Sequence, residues 1–122
     1  MSIRSITFVL AALAVAAQVA ALAAPKGPIT GLYRSADASE EVRITGAAPN
    51  FRVHIVVGMD GCGGGMEGPA TVKAGGALLV VSDQCRVTMT ETAKGWRLAE
   101  QSCGALHGDA CSFDGDIARA AH

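Results

Sequence analysis

The chain has 122 residues, half of them hydrophobic, with fifteen glycines and five aromatic side chains. That length leaves room for one small domain and excludes a multidomain enzyme. Ten basic residues against eleven acidic ones exclude a strongly basic nucleic-acid binder.

The hydrophobic residues are unevenly distributed. Arg4 precedes an apolar run from Ile6 to Ala17 that only Thr7 interrupts, and Ala21-Leu22-Ala23 supplies a small-x-small exit. This is the pattern of a cleaved export signal over residues 1–23. A transmembrane anchor of about 20 residues is the rival, but the run is rich in alanine, poor in leucine and ends in small residues. No cysteine precedes Cys62, so lipoprotein acylation has no acceptor. The expectation is a periplasmic or secreted protein with no membrane span once the signal is removed. Of 61 hydrophobic residues 18 lie in 1–23, leaving 43 of 99 in the remainder, an ordinary globular share. The remainder carries nine basic and eleven acidic side chains, a net charge of −2.

All four cysteines, Cys62, Cys85, Cys103 and Cys111, fall after the signal. An even count in a short exported chain reads as two disulfides. Four cysteines allow three connectivities, and spacing alone does not choose. Cys62–Cys85 with Cys103–Cys111 is favoured here because each pair flanks a local connection. Closing a loop of about 24 residues would contribute roughly 3 kcal/mol. The alternative, a metal held by Cys103-x3-His107-x3-Cys111, matches no common zinc spacing.

Residues 24–30 read as an extended Pro/Gly-rich lead-in. Beyond them the apolar period is two. Val42 and Ile44 alternate with Glu41, Arg43 and Thr45; Phe51, Val53, Ile55 and Val57 with Arg52 and His54; Cys85, Val87 and Met89 with Arg86, Thr88 and Thr90; and Trp96 and Leu98 with Arg97. Leu78 to Val81 is a continuous apolar run, as in a strand covered on both faces. Strands are expected near 31–35, 40–46, 51–58, 68–73, 77–82, 85–91, 95–101 and 112–118. A short helical turn near 117–121 and a flexible tail over 120–122 complete the reading. Seven or eight short strands joined by turns make an all-β antiparallel meander over residues 31–119. A sheet of that size closes into a barrel or folds into a sandwich to protect its edges.

Two segments could carry function. Residues 58–68 contain a formal GxGxxG at Gly63, Gly65 and Gly68, but a strand rather than a helix follows, so a dinucleotide site is excluded. The segment is expected to form a protruding hairpin loop pinned by Cys62. Met59, Asp60, Met66 and Glu67 would be its binding residues; the plain alternative is a flexible, glycine-permitted connection. His54, Met59 and Met66 make only a thin case for a soft copper site. The second segment is a ring closed by Cys103 and Cys111 that would present His107 and Asp109 to a partner, or hold His107 as a surface side chain on a structural loop. Ser102 and Ser112 lack the context of a catalytic nucleophile, and Asp114 and Asp116 lack the calcium-loop pattern. No catalytic residue, metal or cofactor is assigned.

The tail Cys-Gly-x-x-His-Gly-x-x-Cys-Ser-Phe-x-Gly at 103–115, with Gly61-Cys62 and Glu67-Gly68, resembles that of small exported bacterial β proteins, mostly uncharacterised. Size, signal and meander also look like the periplasmic lysozyme inhibitors, disulfide-bearing β-barrels that plug the lysozyme cleft with loops. The Ser-Gly-x-x-Tyr and Tyr-x-x-x-Thr-Lys-Gly patterns of those inhibitors are absent, and only Gly31-Leu-Tyr33 echoes the first. The resemblance is architectural and transfers no inhibitory residue. It implies a non-enzymatic periplasmic binding module with a protein partner in the cell envelope, most concretely an inhibitor of a lysozyme-like wall-degrading enzyme. The alternatives are a periplasmic metal-binding protein and an envelope structural protein that associates through a strand edge.

Overall fold

The period-two alternation becomes β-structure throughout the described chain, residues 28–120 of a computed structural model. The strands are β1 Gly31–Arg34, β2 Glu40–Ala47, β3 Asn50–Met59, β4 Cys62–Val72, β5 Leu78–Ser82, β6 Cys85–Glu91, β7 Gly95–Gln101 and β8 Gly115–Arg119. Each pairs antiparallel with the next, and β8 returns to β1 through Tyr33↔Arg119 and Arg34↔Ala118. The result is a closed up-and-down barrel, so none of the eight strands has a free edge. The expected export signal and most of the lead-in and tail lie outside the described residues.

Alternation decides what fills the barrel. Val42 and Ile44 of β2, Val53 and Ile55 of β3, Val80 of β5, Val87 and Met89 of β6 and Leu98 of β7 are at most 2% exposed. Polar neighbours such as Arg43, Arg52, His54, Thr88 and Arg97 face out. Leu78 and Val80 point in, whereas Leu79 and Val81 are half-buried on the outer side, so β5 is only partly covered on both faces. The seam between β1 and β8 is fastened by side chains on the inward phase of both strands. Arg119 lies over the Tyr33 ring at 4.9 Å and donates to the Tyr33 hydroxyl, the Thr30 carbonyl and the Pro28 carbonyl.

Three expectations are corrected. First, residues 58–68 are not a protruding loop: the ladder continues through Val56↔Gly65, Val57↔Gly64 and Gly58↔Gly63 to Met59↔Cys62. Only Asp60 and Gly61 remain as the turn, with Gly61 at φ 74°. Asp-Gly is a favoured two-residue hairpin turn, which lets β3 and β4 run to its edge. Second, strand replaces the expected helical turn over its described part, because Ile117 is an inward-facing residue of β8; residue 121 lies outside the described residues. That strand starts at Gly115 because Phe113 and Asp114 are occupied bonding to Glu100.

Third, the cysteines pair as Cys62–Cys111 and Cys85–Cys103. β5 lies between β4 and β6, and the registers set Cys85 opposite Ser82 and level with Gly68, six residues along β4 from Cys62, so the two are much too far apart for a bridge. Cys85 and Cys103 instead meet at the ends of neighbouring strands, where Arg86 faces Gln101. The bridges therefore tie connections together across the barrel and close no local ring. Both lie at the same barrel end, and two disulfides point to an oxidising compartment.

Candidate functional site

The bridged end of the barrel gathers the β1–β2 loop, the β3–β4 turn and the long β7–β8 connection. The connection lies across the mouth because β4 is glycine there. Gly64 bridges to His107, and a Cβ on Gly64 would collide with the Leu106 carbonyl and with His107 itself. The Gly108 N–H then donates to the Gly63 carbonyl at 3.2 Å. Gly108 in turn packs on Cys62, with no room for a side chain. The glycine run that resembles a nucleotide fingerprint is thus a seat for the connection.

Two inward-facing strand positions at this end are glutamates. Glu100 continues the row of Trp96 and Leu98 on β7; Glu40 continues the row of Val42 and Ile44 on β2. Glu100 is fully engaged. His107 Nε2 lies 2.9 Å from both of its oxygens, and the Phe113 N–H donates to it at 2.8 Å. His107 Nδ1 meets the Gly108 carbonyl at 2.8 Å, so both ring nitrogens face acceptors and the ring is held as a cation. The Gly108 carbonyl foremost, then the Glu100 carboxylate, raise its pKa above 6.5, against the opposing effect of burial. Phe113 packs edge-on to the imidazole at 4.9 Å.

Glu40 is 4% exposed, and its Oε2 has no hydrogen-bond partner among the described residues. Burial first, then the negative charges of Asp114, Glu100 and Asp37, push its carboxyl up to about 8. It forms part of the wall of an open cleft of about 490 Å³ between the β1–β2 loop and the β7–β8 connection. Asp37, Asp109, Asp114 and Asp116 also line the cleft, and none of its lining residues is basic. The loop side is tied by its own hydrogen bonds. Asp37 accepts from the hydroxyls of Ser35 and Ser39 and from the Ser39 N–H, which together hold its carboxyl down at about 2. On the far side Asp114 accepts the Glu100 N–H, and Asp116 pairs with Arg97 at 2.8 Å on the open surface.

No protein-family model, curated protein or solved structure matches the chain. The site therefore stands on its geometry.

The six expected binding residues divide. Met59 and Asp109 line the acidic cleft, and both are exposed. Asp60 sits in the exposed turn next to it. Met66 is 4% exposed and belongs to the core, while Glu67 lies on the outer wall paired with Arg52 at 3.4 Å. These two could not join Met59 and Asp60 because residues 62–72 alternate as a strand. His107 is not displayed on a ring; its side chain is 8% exposed and props the connection from beneath. His54 faces outward and Met66 inward, so the soft-metal trio does not converge. Among the described residues no three His, Cys, Asp or Glu side chains are grouped to hold a metal. Nor does any described helix have the length and apolarity to cross a membrane.

Glu40 and Glu100 were missed by sequence reading. The signal was present: both are in phase with the buried rows of their strands, where a carboxylate demands a reason.

Proposed function

We propose that this protein is a non-enzymatic binding module of the periplasm or secreted fraction. It would hold a basic protein partner against the acidic cleft at the disulfide-bridged end of its barrel. The observation that carries this reading is the cleft itself, with five acidic side chains and no basic one in its lining. Three connections frame it, fastened by Cys62–Cys111, by the Asp37 serine bonds and by the Glu100–His107 network. A framed, single-sign cleft steers an oppositely charged partner and loses little conformational entropy on binding.

The most concrete partner is a lysozyme-like wall-degrading enzyme, which the module would inhibit. An enzyme that works on anionic wall polymers is drawn to them by positive charge, and the cleft offers the complement. Small disulfide-bearing barrels that plug the lysozyme cleft offer the architectural parallel. The test is titration of the purified, oxidised protein into lysozymes of several types while lysis is followed. Lysis should fall at micromolar inhibitor with one or more types, and the effect should weaken as salt rises. Asp109→Lys should abolish it, because Asp109 is exposed on the cleft rim. Undiminished lysis by every lysozyme at micromolar protein overturns the inhibitor reading.

A further inference from the structure

The mouth of the barrel shows how this fold treats a structural carboxylate. Glu100 receives a histidine cation and a backbone N–H. Glu40, the equivalent inward-facing glutamate on β2, receives neither and leaves Oε2 buried without a partner among the described residues. A buried acceptor without a donor is costly and calls for an explanation. The explanation lies on the open side: Glu40 walls the acidic cleft, next to Gly115, whose missing side chain leaves Glu40 Oε1 3.8 Å from where a Cβ would stand.

We propose that the floor of this cleft is a subsite for one alkylammonium or guanidinium group, with Glu40 as its counter-ion, and that a lysine or arginine side chain of the partner supplies the group. The proposal rests on reading the acidic cleft as the docking face, but not on the partner being a lysozyme. A donor-only cation is the complement of an acceptor lacking a donor. The rim carboxylate of Asp109 attracts the cation, and exposed Met59 offers apolar surface to its aliphatic stem. A divalent metal is the poorer occupant, since no three ligating side chains converge among the described residues.

Occupation has a chemical consequence. The charged groups facing Glu40 are Asp37 from the β1–β2 loop, Glu100 from β7 and Asp114 from the β7–β8 connection, all acidic. Around neutral pH these and burial hold the Glu40 carboxyl protonated. When the cation docks, the carboxyl O–H bond breaks heterolytically, the proton passes to buffer and the carboxylate remains as the partner of the cation.

The experiment titrates n-butylguanidinium, with neutral n-butylurea as its isostere, into the purified oxidised protein. It follows the Glu40 carboxyl carbon and the Gly115 amide by NMR and proton release by calorimetry in buffers of different ionisation enthalpy. Saturable shifts with guanidinium alone are expected, with up to one proton released per site at pH 7. Glu40→Gln should weaken binding at least tenfold, while Glu91→Gln, the same substitution at the opposite barrel end, should leave it unaltered. Absence of a saturable shift in the wild-type protein overturns the subsite, as does equal response to n-butylurea or equal binding by E40Q. If a lysozyme is captured equally well by wild type and E40Q, the subsite falls and the docking face stands. If no lysozyme is captured but guanidinium saturates Glu40, the inhibitor reading falls and the subsite stands.

Discussion

Glu40 and Glu100 have the same side chain, lie on inward-facing rows and sit at the same barrel end, yet one is enclosed by donors and the other is not. The difference is readable as stability against pH. Glu40 has a folded pKa of about 8 against an ordinary 4.5, so the folded state holds a proton that the unfolded state releases. Its contribution is fully present below pH 4.5 and is lost as pH rises to 8, beyond which the loss levels off. Denaturant unfolding should therefore show E40Q gaining on wild type between pH 4.5 and 8.5, by on the order of 4 kcal/mol; parallel curves would contradict the burial. His107 has the same sign over a different window. Its raised pKa makes its stabilisation complete below pH 6.5 and lost as pH climbs through the folded value. His107→Gln should cost about 3 kcal/mol at pH 6, because it leaves Glu100 without its cation, and clearly less at pH 9. Unfolding of H107Q in an E40Q background separates the two groups.

At the scale of elements, the β3–β4 hairpin shows how far local chemistry reaches. Asp60-Gly61 is a hairpin signal legible in the sequence, and the inward phase of Val53, Ile55 and Val57 was legible too. The continuation of β4 through Gly63, Gly64 and Gly65 was not, since glycines carry no hydrophobic phase and favour turns when read alone. What makes them strand residues is their partner strand on one side and the 104–108 segment above. Gly64→Ala should accordingly cost about 2–3 kcal/mol by forcing the Leu106 carbonyl and His107 outward. Gly58→Ala, where nothing lies within 4 Å, should change stability by less than about 1 kcal/mol. Equal costs in thermal unfolding would mean that the connection does not rest on β4.

For the whole molecule, closure of β8 on β1 removes the strand edge through which an envelope protein could polymerise, and it leaves the two barrel ends as the places where connections meet. The bridged end carries both disulfides and the acidic cleft. Because Cys62 and Cys111 are 49 residues apart, the chain-entropy model gives their bridge about 4 kcal/mol, against about 3 for Cys85–Cys103 at a separation of 18. Replacing Cys62 and Cys111 together by Ala should lower stability by that amount and loosen the cleft. Non-reducing peptide mapping should recover the fragment holding Cys62 joined to the one holding Cys111; a Cys62–Cys85 fragment would refute the crossing pattern.

The amino-acid order by itself determined the all-β class, most strand positions and the presence of two bridges, because period-two phasing and cysteine count are local or additive properties. Val42, Ile44, Val53 and Ile55 announce their inward face without knowing what lies opposite. Which cysteines meet, where the glycine run seats the connection, and which carboxylate is left without a donor were decided only by the tertiary structure. Those outcomes depend on the order of strands around the barrel and on what the β7–β8 connection covers, distances that no spacing along the chain encodes. Glu40 combines the two: its phase with Val42 places it inside, and the closed barrel alone shows that nothing meets it there.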